Sequence, residues 1–152
     1  MKIIIKNGNM AFKTSPNEIT FDKLYDINGN ERAYNESISV DDTAYLNATN
    51  GEVRGKAANY LITNYEIIAP YKSFTYNGKF NTPSIPLGVV CFYDADKKFI
   101  GSYGTDDTCI EKWETTNGTK TGTVPVGSVY MRSMHMTSSK PVPVKFSITF
   151  YK

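Results

Sequence analysis

A chain of 152 residues with a formal net charge of +2 can bury one real core but is too short for two ordinary ones. Its basic residues are scattered, as Lys2, Lys6, Lys13, Arg32 and Arg54 show. They form no stripe of the kind nucleic acid requires, so no nucleic-acid partner is expected. Eleven tyrosines against one tryptophan suit strands and gripping surfaces, and favour an all-β fold.

The opening MKIIIK holds three isoleucines before Lys6, far short of a signal-peptide core or a membrane span, so neither export nor a membrane is expected. MKIIIKNGNMAFK reads as two short strands around Asn7-Gly8, the pair best suited to a type I′ turn. Pro16 and the polar KTSPNE follow directly. The spacing therefore predicts a hairpin arm over residues 1–15, ahead of a β-sandwich over 16–152. The competing reading makes it the first hairpin of the main sheet.

Further along, Ile19 to Tyr25 carries a strand signal closed by Asn28-Gly29, and ESISVDDTAYLNATNGEVRG alternates before Asn50-Gly51. Turn signals recur at Asn77-Gly78, Asp94 to Lys97, Asn117-Gly118 and Val126-Gly127, a punctuation that suits a sandwich or barrel. GKAANYLITNYEI is the nearest thing to a helical period, and β-branched residues soon overrun it. The strongest strands are Leu87 to Asp94, Lys98 to Tyr103, Ser128 to Met136 and Val144 to Lys152. In the last, Val144, Phe146, Ile148 and Phe150 share one face. TSSKPVPV before it marks a loop or an edge, because proline cannot donate to a ladder. Residues 104–123 read as a long polar connection.

Little in the chain promises catalysis. FYDADKKFIG carries Asp94 and Asp96, two acids that could hold calcium only if other oxygens converged, and the EF-hand pattern is missing. A hairpin turn with Asp94 bonding local amides explains them better, so calcium is weakly supported and no cofactor is expected. Asp41-Asp42 and Asp106-Asp107 are loop acids. The one histidine, His135, sits in a strand pattern with no nucleophile elbow nearby. Cys91 and Cys109 fit no metal spacing and read as free thiols of a reducing compartment. No enzyme is expected.

What remains is aromatic. Trp113 lies in the polar connection, where an exposed or partner-facing ring is more expected than a core one. With Tyr103, and with Tyr71, Tyr76 and Tyr130 in or beside strands, it could form a sugar-stacking platform, with Asp106 or Asp107 bonding hydroxyls. The alternative folds Trp113 down on the sandwich.

Four segments carry a resemblance: TAYLNATNGEV (Thr43 to Val53), ANYLITNYEIIAPYKSFTYNGKF (Ala58 to Phe80), GVVCFYDADKKFIGSY (Gly88 to Tyr103) and GTVPVGSVYMRSMHM (Gly122 to Met136). Together they resemble the jelly-roll, carbohydrate-binding-module-like β-sandwich domains of bacteriophage tail fibres, head fibres and other virion proteins. MKIIIKNGNMAFK resembles the start of small virion proteins from phages of gut Bacteroidales. The resemblance implies a non-catalytic, jelly-roll-like antiparallel β-sandwich, assembled in the bacterial cytoplasm into a virion as a homo-oligomer. Its partners would be a capsid or fibre protein, or host-surface glycans held at Trp113, Tyr103, Asp106 and Asp107. On this reading the arm residues Ile3, Ile4, Ile5, Met10 and Phe12 are the attachment candidates. The domains of this family often have alanine or asparagine where Val126-Gly127 stands, and the connection bearing Trp113 is longer than theirs.

Overall fold

The computed structural model describes residues 2–6, 9–13, 16–33, 38–56, 60–78, 88–115, 117–136 and 146–152, and their regular structure is all β. Strands β1 (Lys2–Lys6) and β2 (Asn9–Lys13) form a two-stranded antiparallel sheet of their own, with Ile3 opposite Phe12 and Ile5 opposite Met10. The Asn7-Gly8 turn and the proline loop 137–144 lie outside the described residues.

Two larger sheets make the sandwich. The smaller runs β14 (Gly118–Thr123), β10 (Ser73–Gly78), β16 (Ser147–Tyr151), β3 (Glu18–Phe21), antiparallel throughout. The larger runs β13 (Glu111–Lys112), β12 (Phe99–Gly104), β11 (Gly88–Tyr93), β15 (Tyr130–Met136), β8 (Tyr60–Ile62), β4 (Leu24–Tyr25), β5 (Glu31–Arg32), with β9 (Glu66–Ile67) also beside β15. Only β12 and β13 pair in parallel among the described strands. Phe74, Tyr76, Ile148 and Phe150 of the small sheet meet Leu61, Val90, Phe92 and Met131 of the large one in a single apolar core. Strands β3, β8, β10, β11, β12, β14, β15 and β16 visit the sheets in the order small, large, small, large, large, small, large, small.

The far face of the large sheet is covered too. The hairpin of β6 (Ala44–Leu46) and β7 (Val53–Gly55) sets Ala44 and Leu46 on Ile62, Cys91, Tyr93 and Met134. At its turn Gly51 has φ +68°, its carbonyl accepts the Tyr93 hydroxyl at 2.6 Å, and an added Cβ would fall 2.6 Å from the Phe99 ring. Strand β11 is therefore roofed on both sides, which is why Val89 to Tyr93 reads as a continuous apolar run rather than an alternation.

Three sequence expectations change. Ile19 to Tyr25 is not one strand: it breaks at Asp22-Lys23 into β3 and β4, which belong to different sheets. The polar stretch 104–123 contains β14, whose inward positions include Gly122, packed against Phe74 with no side chain of its own. Asn77-Gly78 is no turn, because both residues end β10, paired with Thr119 and Gly118.

Candidate functional site

The Trp113 segment is built from β12 outward. Asp106 Oδ1 accepts from the Thr108 amide at 2.8 Å and the Thr108 hydroxyl at 2.7 Å, and these bonds hold its carboxyl below the usual range. Asp107, exposed, pairs with Lys112 Nζ at 2.5 Å. The Trp113 amide then donates to Gly104 O at 2.7 Å, continuing the parallel β12–β13 pairing, and the indole turns inward. Trp113 is 5 % exposed, with ring centroids 5.9 Å from Tyr76 and 6.0 Å from Tyr103. Tyr103 is 4 % exposed and donates to Thr123 O at 2.6 Å.

Of the two readings of Trp113, the structure takes the second: the ring is folded down on the sandwich and not exposed. Residues 105–112 fold back on β12 through their own polar bonds, and the large apolar ring follows them into the core. Trp113 and Tyr103 do come together, but inside. Asp106 and Asp107 lie outside, engaged with their own loop, so the four do not converge on one surface.

His135, in β15 opposite Leu61 of β8, is fully buried, with Nδ1 3.3 Å from the Tyr76 hydroxyl and its ring 5.3 Å from Phe146. Burial lowers its pKa to about 3, leaving a neutral imidazole. The buried Cys91 thiol is pushed up to about 12, and the half-buried Cys109 is raised as well, by burial first. Both cysteines are free, and such protonated thiols are poor nucleophiles. Among the described residues no three of His, Cys, Asp and Glu cluster to hold a metal.

FYDADKKFIG forms the expected turn. Asp94 Oδ1 accepts the Asp96 and Lys98 amides at 2.8 and 2.9 Å, while Lys97 sits at φ +61°. Sequence reasoning missed where that lysine goes. Its Nζ lies 4.9 Å from the Tyr65 ring centre and 5.6 Å from that of Tyr130, with Arg132 also over Tyr65 at 4.3 Å. Lys97→Gly should relieve about 1 kcal/mol of left-handed strain and lose about 0.5–1 kcal/mol of ring contact, melting close to wild type. Lys97→Ala keeps the strain and loses the contact, so it should melt lower. Identical melting of the two variants would contradict this account.

A second polar knot also went unread. Asp26, its side chain fully enclosed, accepts the Asn28 and Asn30 amides at 2.9 and 3.0 Å and Arg32 Nε at 2.9 Å. Burial opposes its charge, yet these donors together hold the carboxyl below its ordinary value. Arg32 also reaches Asp42 at 3.3 Å. The knot joins the β4–β5 turn to the segment before β6.

Two surfaces remain open to a partner. The outer face of the small sheet carries Thr20, Thr149, Thr75 and Thr121 in one row by register. The free side of β3 borders a groove of about 190 Å³ lined by Thr20, Phe21, Asp22, Lys23, Tyr25 and Glu66, where burial raises the Glu66 carboxyl. Ile3, Ile4, Ile5, Met10 and Phe12 lie on β1 and β2, which pair with each other and, among the described residues, with no strand of the sandwich. No family model matches this chain, and no curated protein or solved structure matches it either.

Proposed function

We propose that this chain is a non-catalytic structural protein of a bacteriophage particle, decorating the capsid or forming part of a head or tail fibre. The observation that carries the reading is the β1–β2 ladder, a small sheet that pairs with no strand of the sandwich among the described residues. An isolated two-stranded hairpin is marginal in water, so a partner surface is the physical reason to keep one. The alternation of strands between the two sheets supports a jelly roll, a double-sheet architecture common in capsid domains. Its histidine and cysteines are buried or half-buried, and Asp42, Asp94, Asp106 and Asp107 are bonded to groups of the fold, which favours scaffolding over chemistry. A glycan site made of Trp113 and Tyr103 loses its platform with both rings in the core.

In mechanism, the arm adds backbone hydrogen bonds and apolar contact to a neighbouring virion subunit, as in strand addition generally. Deletion of residues 1–13 should abolish incorporation into particles while leaving the sandwich folded. Unchanged incorporation of the truncated chain would sink the proposal.

A further inference from the structure

We propose that the neighbour is a second copy of this chain, and that strand β1 of one copy extends the small sheet of the next along the open side of β3. This rests on the reading of the arm as a tether and names what it is tied to. Strand β3 ends the small sheet, with β16 as its one neighbour among the described strands. Lys152 N–H donates to Asn17 O at 3.1 Å, so alternation along the strand turns the amides and carbonyls of Glu18 and Thr20 to the open side.

The two segments match residue for residue. Lys2-Ile3-Ile4-Ile5-Lys6 has a cation at each end, and Glu18-Ile19-Thr20-Phe21-Asp22 has an anion at each end, at the same spacing. Because both patterns are symmetric, either strand direction sets a lysine opposite Glu18 and a lysine opposite Asp22. Either direction also sets Ile3 and Ile5 opposite Ile19 and Phe21, the residues of β3 that pack on the core, and Ile4 opposite Thr20 on the outer face. Opposite charges and apolar pairs at facing positions are what stabilise a ladder. Glu18 and Asp22 are exposed and have no ion-pair partner among the described residues. Lys23, next in sequence to Asp22, pairs with Glu31 at 3.5 Å.

The same chain cannot supply this strand. Pro16 and Asn17 are already fixed, through Pro16 O to the Tyr71 hydroxyl at 3.0 Å and Asn17 O to Lys152. With β1 beside β3, β2 would lie two strand spacings away, about 9.6 Å, with Pro16 a further two residues, about 6.6 Å, along the strand. The gap from Lys13 to Pro16 is then about 11.7 Å even for a parallel β1, more than the roughly 10.8 Å three residues can reach. An antiparallel β1 would make β2 parallel to β3, which requires a far longer crossover. The arm therefore reaches a different copy, and a head-to-tail contact of this kind builds rings or filaments.

The test uses two full-length charge-reversed variants, Lys2→Glu with Lys6→Glu and Glu18→Lys with Asp22→Lys, followed by light scattering after size exclusion. Wild type should associate with rising concentration, and each variant alone should associate at least about tenfold more weakly. An equimolar mixture should co-assemble at one-to-one stoichiometry in alternating order, since the arm of each variant then meets a β3 edge of opposite charge on the other. A wild type that stays monomeric, or variants that fail to combine, overturns the pairing. Variants that melt lower than wild type at a dilution where wild type is itself monomeric would place the arm on its own chain, also against the proposal. Particle incorporation reports separately: if truncation of the arm leaves it unchanged while the mixture still combines, the virion role fails and the self-pairing stands.

Discussion

Replacing Trp113 with alanine is expected to destabilise the folded chain by about 3–5 kcal/mol, read as a lower denaturant midpoint with an unchanged slope. The indole is almost fully enclosed and packs on Tyr76 and Tyr103, which in turn touch Phe146 and Phe74. Removing it leaves a cavity between rings that are hydrogen-bonded in place, by Tyr76 to His135 and Tyr103 to Thr123, and cannot collapse freely. Since a domain of this size has only about 5–15 kcal/mol in total, the variant should be marginal. Trp113→Phe should recover most of the loss. A stable Trp113→Ala protein that merely failed to bind a partner would contradict the packing described above.

Acid should act through His135. Its folded pKa of about 3 lies below the ordinary 6.5, so the unfolded chain binds the proton more readily between those values. Stability is thus fully present above pH 6.5 and falls as pH drops toward 3. At about 1.4 kcal/mol per unit, the loss should be roughly 3 kcal/mol by pH 4 and about 4 kcal/mol at pH 3. Asp26 contributes in the same direction but lower down. Its carboxyl is held below the usual value, so its share is intact above about pH 4 and fades as pH falls through the folded pKa. Denaturant titrations at a series of pH values would separate the two. His135→Phe should remove the slope between pH 6.5 and 4, and a slope that survives would place its origin elsewhere.

Much of the architecture was legible because the local chemistry was unambiguous. Asp94 bonds two amides as a turn residue should, and Ile148 and Phe150 fall on the buried face that their spacing demanded. What failed did so for tertiary reasons. The β14 strand turns Gly122, with no side chain, against Phe74, so no apolar alternation announced it. Trp113 sits in polar sequence, yet the short parallel pairing of Glu111 and Lys112 with Tyr103 and Gly104 is enough to deliver it to the core. The Asp26–Arg32–Asp42 knot joins residues whose pairing depends on how two loops meet, and nothing in their spacing says so. The β1–β2 pairing was legible as a hairpin, and the position of β3 at a sheet edge emerges only with the strand order.

The double roof over β11 sets an uneven tolerance to change along the chain. In β16 every second position faces outward, so half of its residues can drift among polar types with little effect on the fold. In β11, Val89 to Tyr93 are all enclosed, and a methylene gained or lost at any of them is felt in one of the two apolar layers. Sequence drift in this protein should therefore collect on β16, β14 and the outer threonines. β11 should change only in step with a neighbour, by paired swaps that conserve volume across the layer it touches.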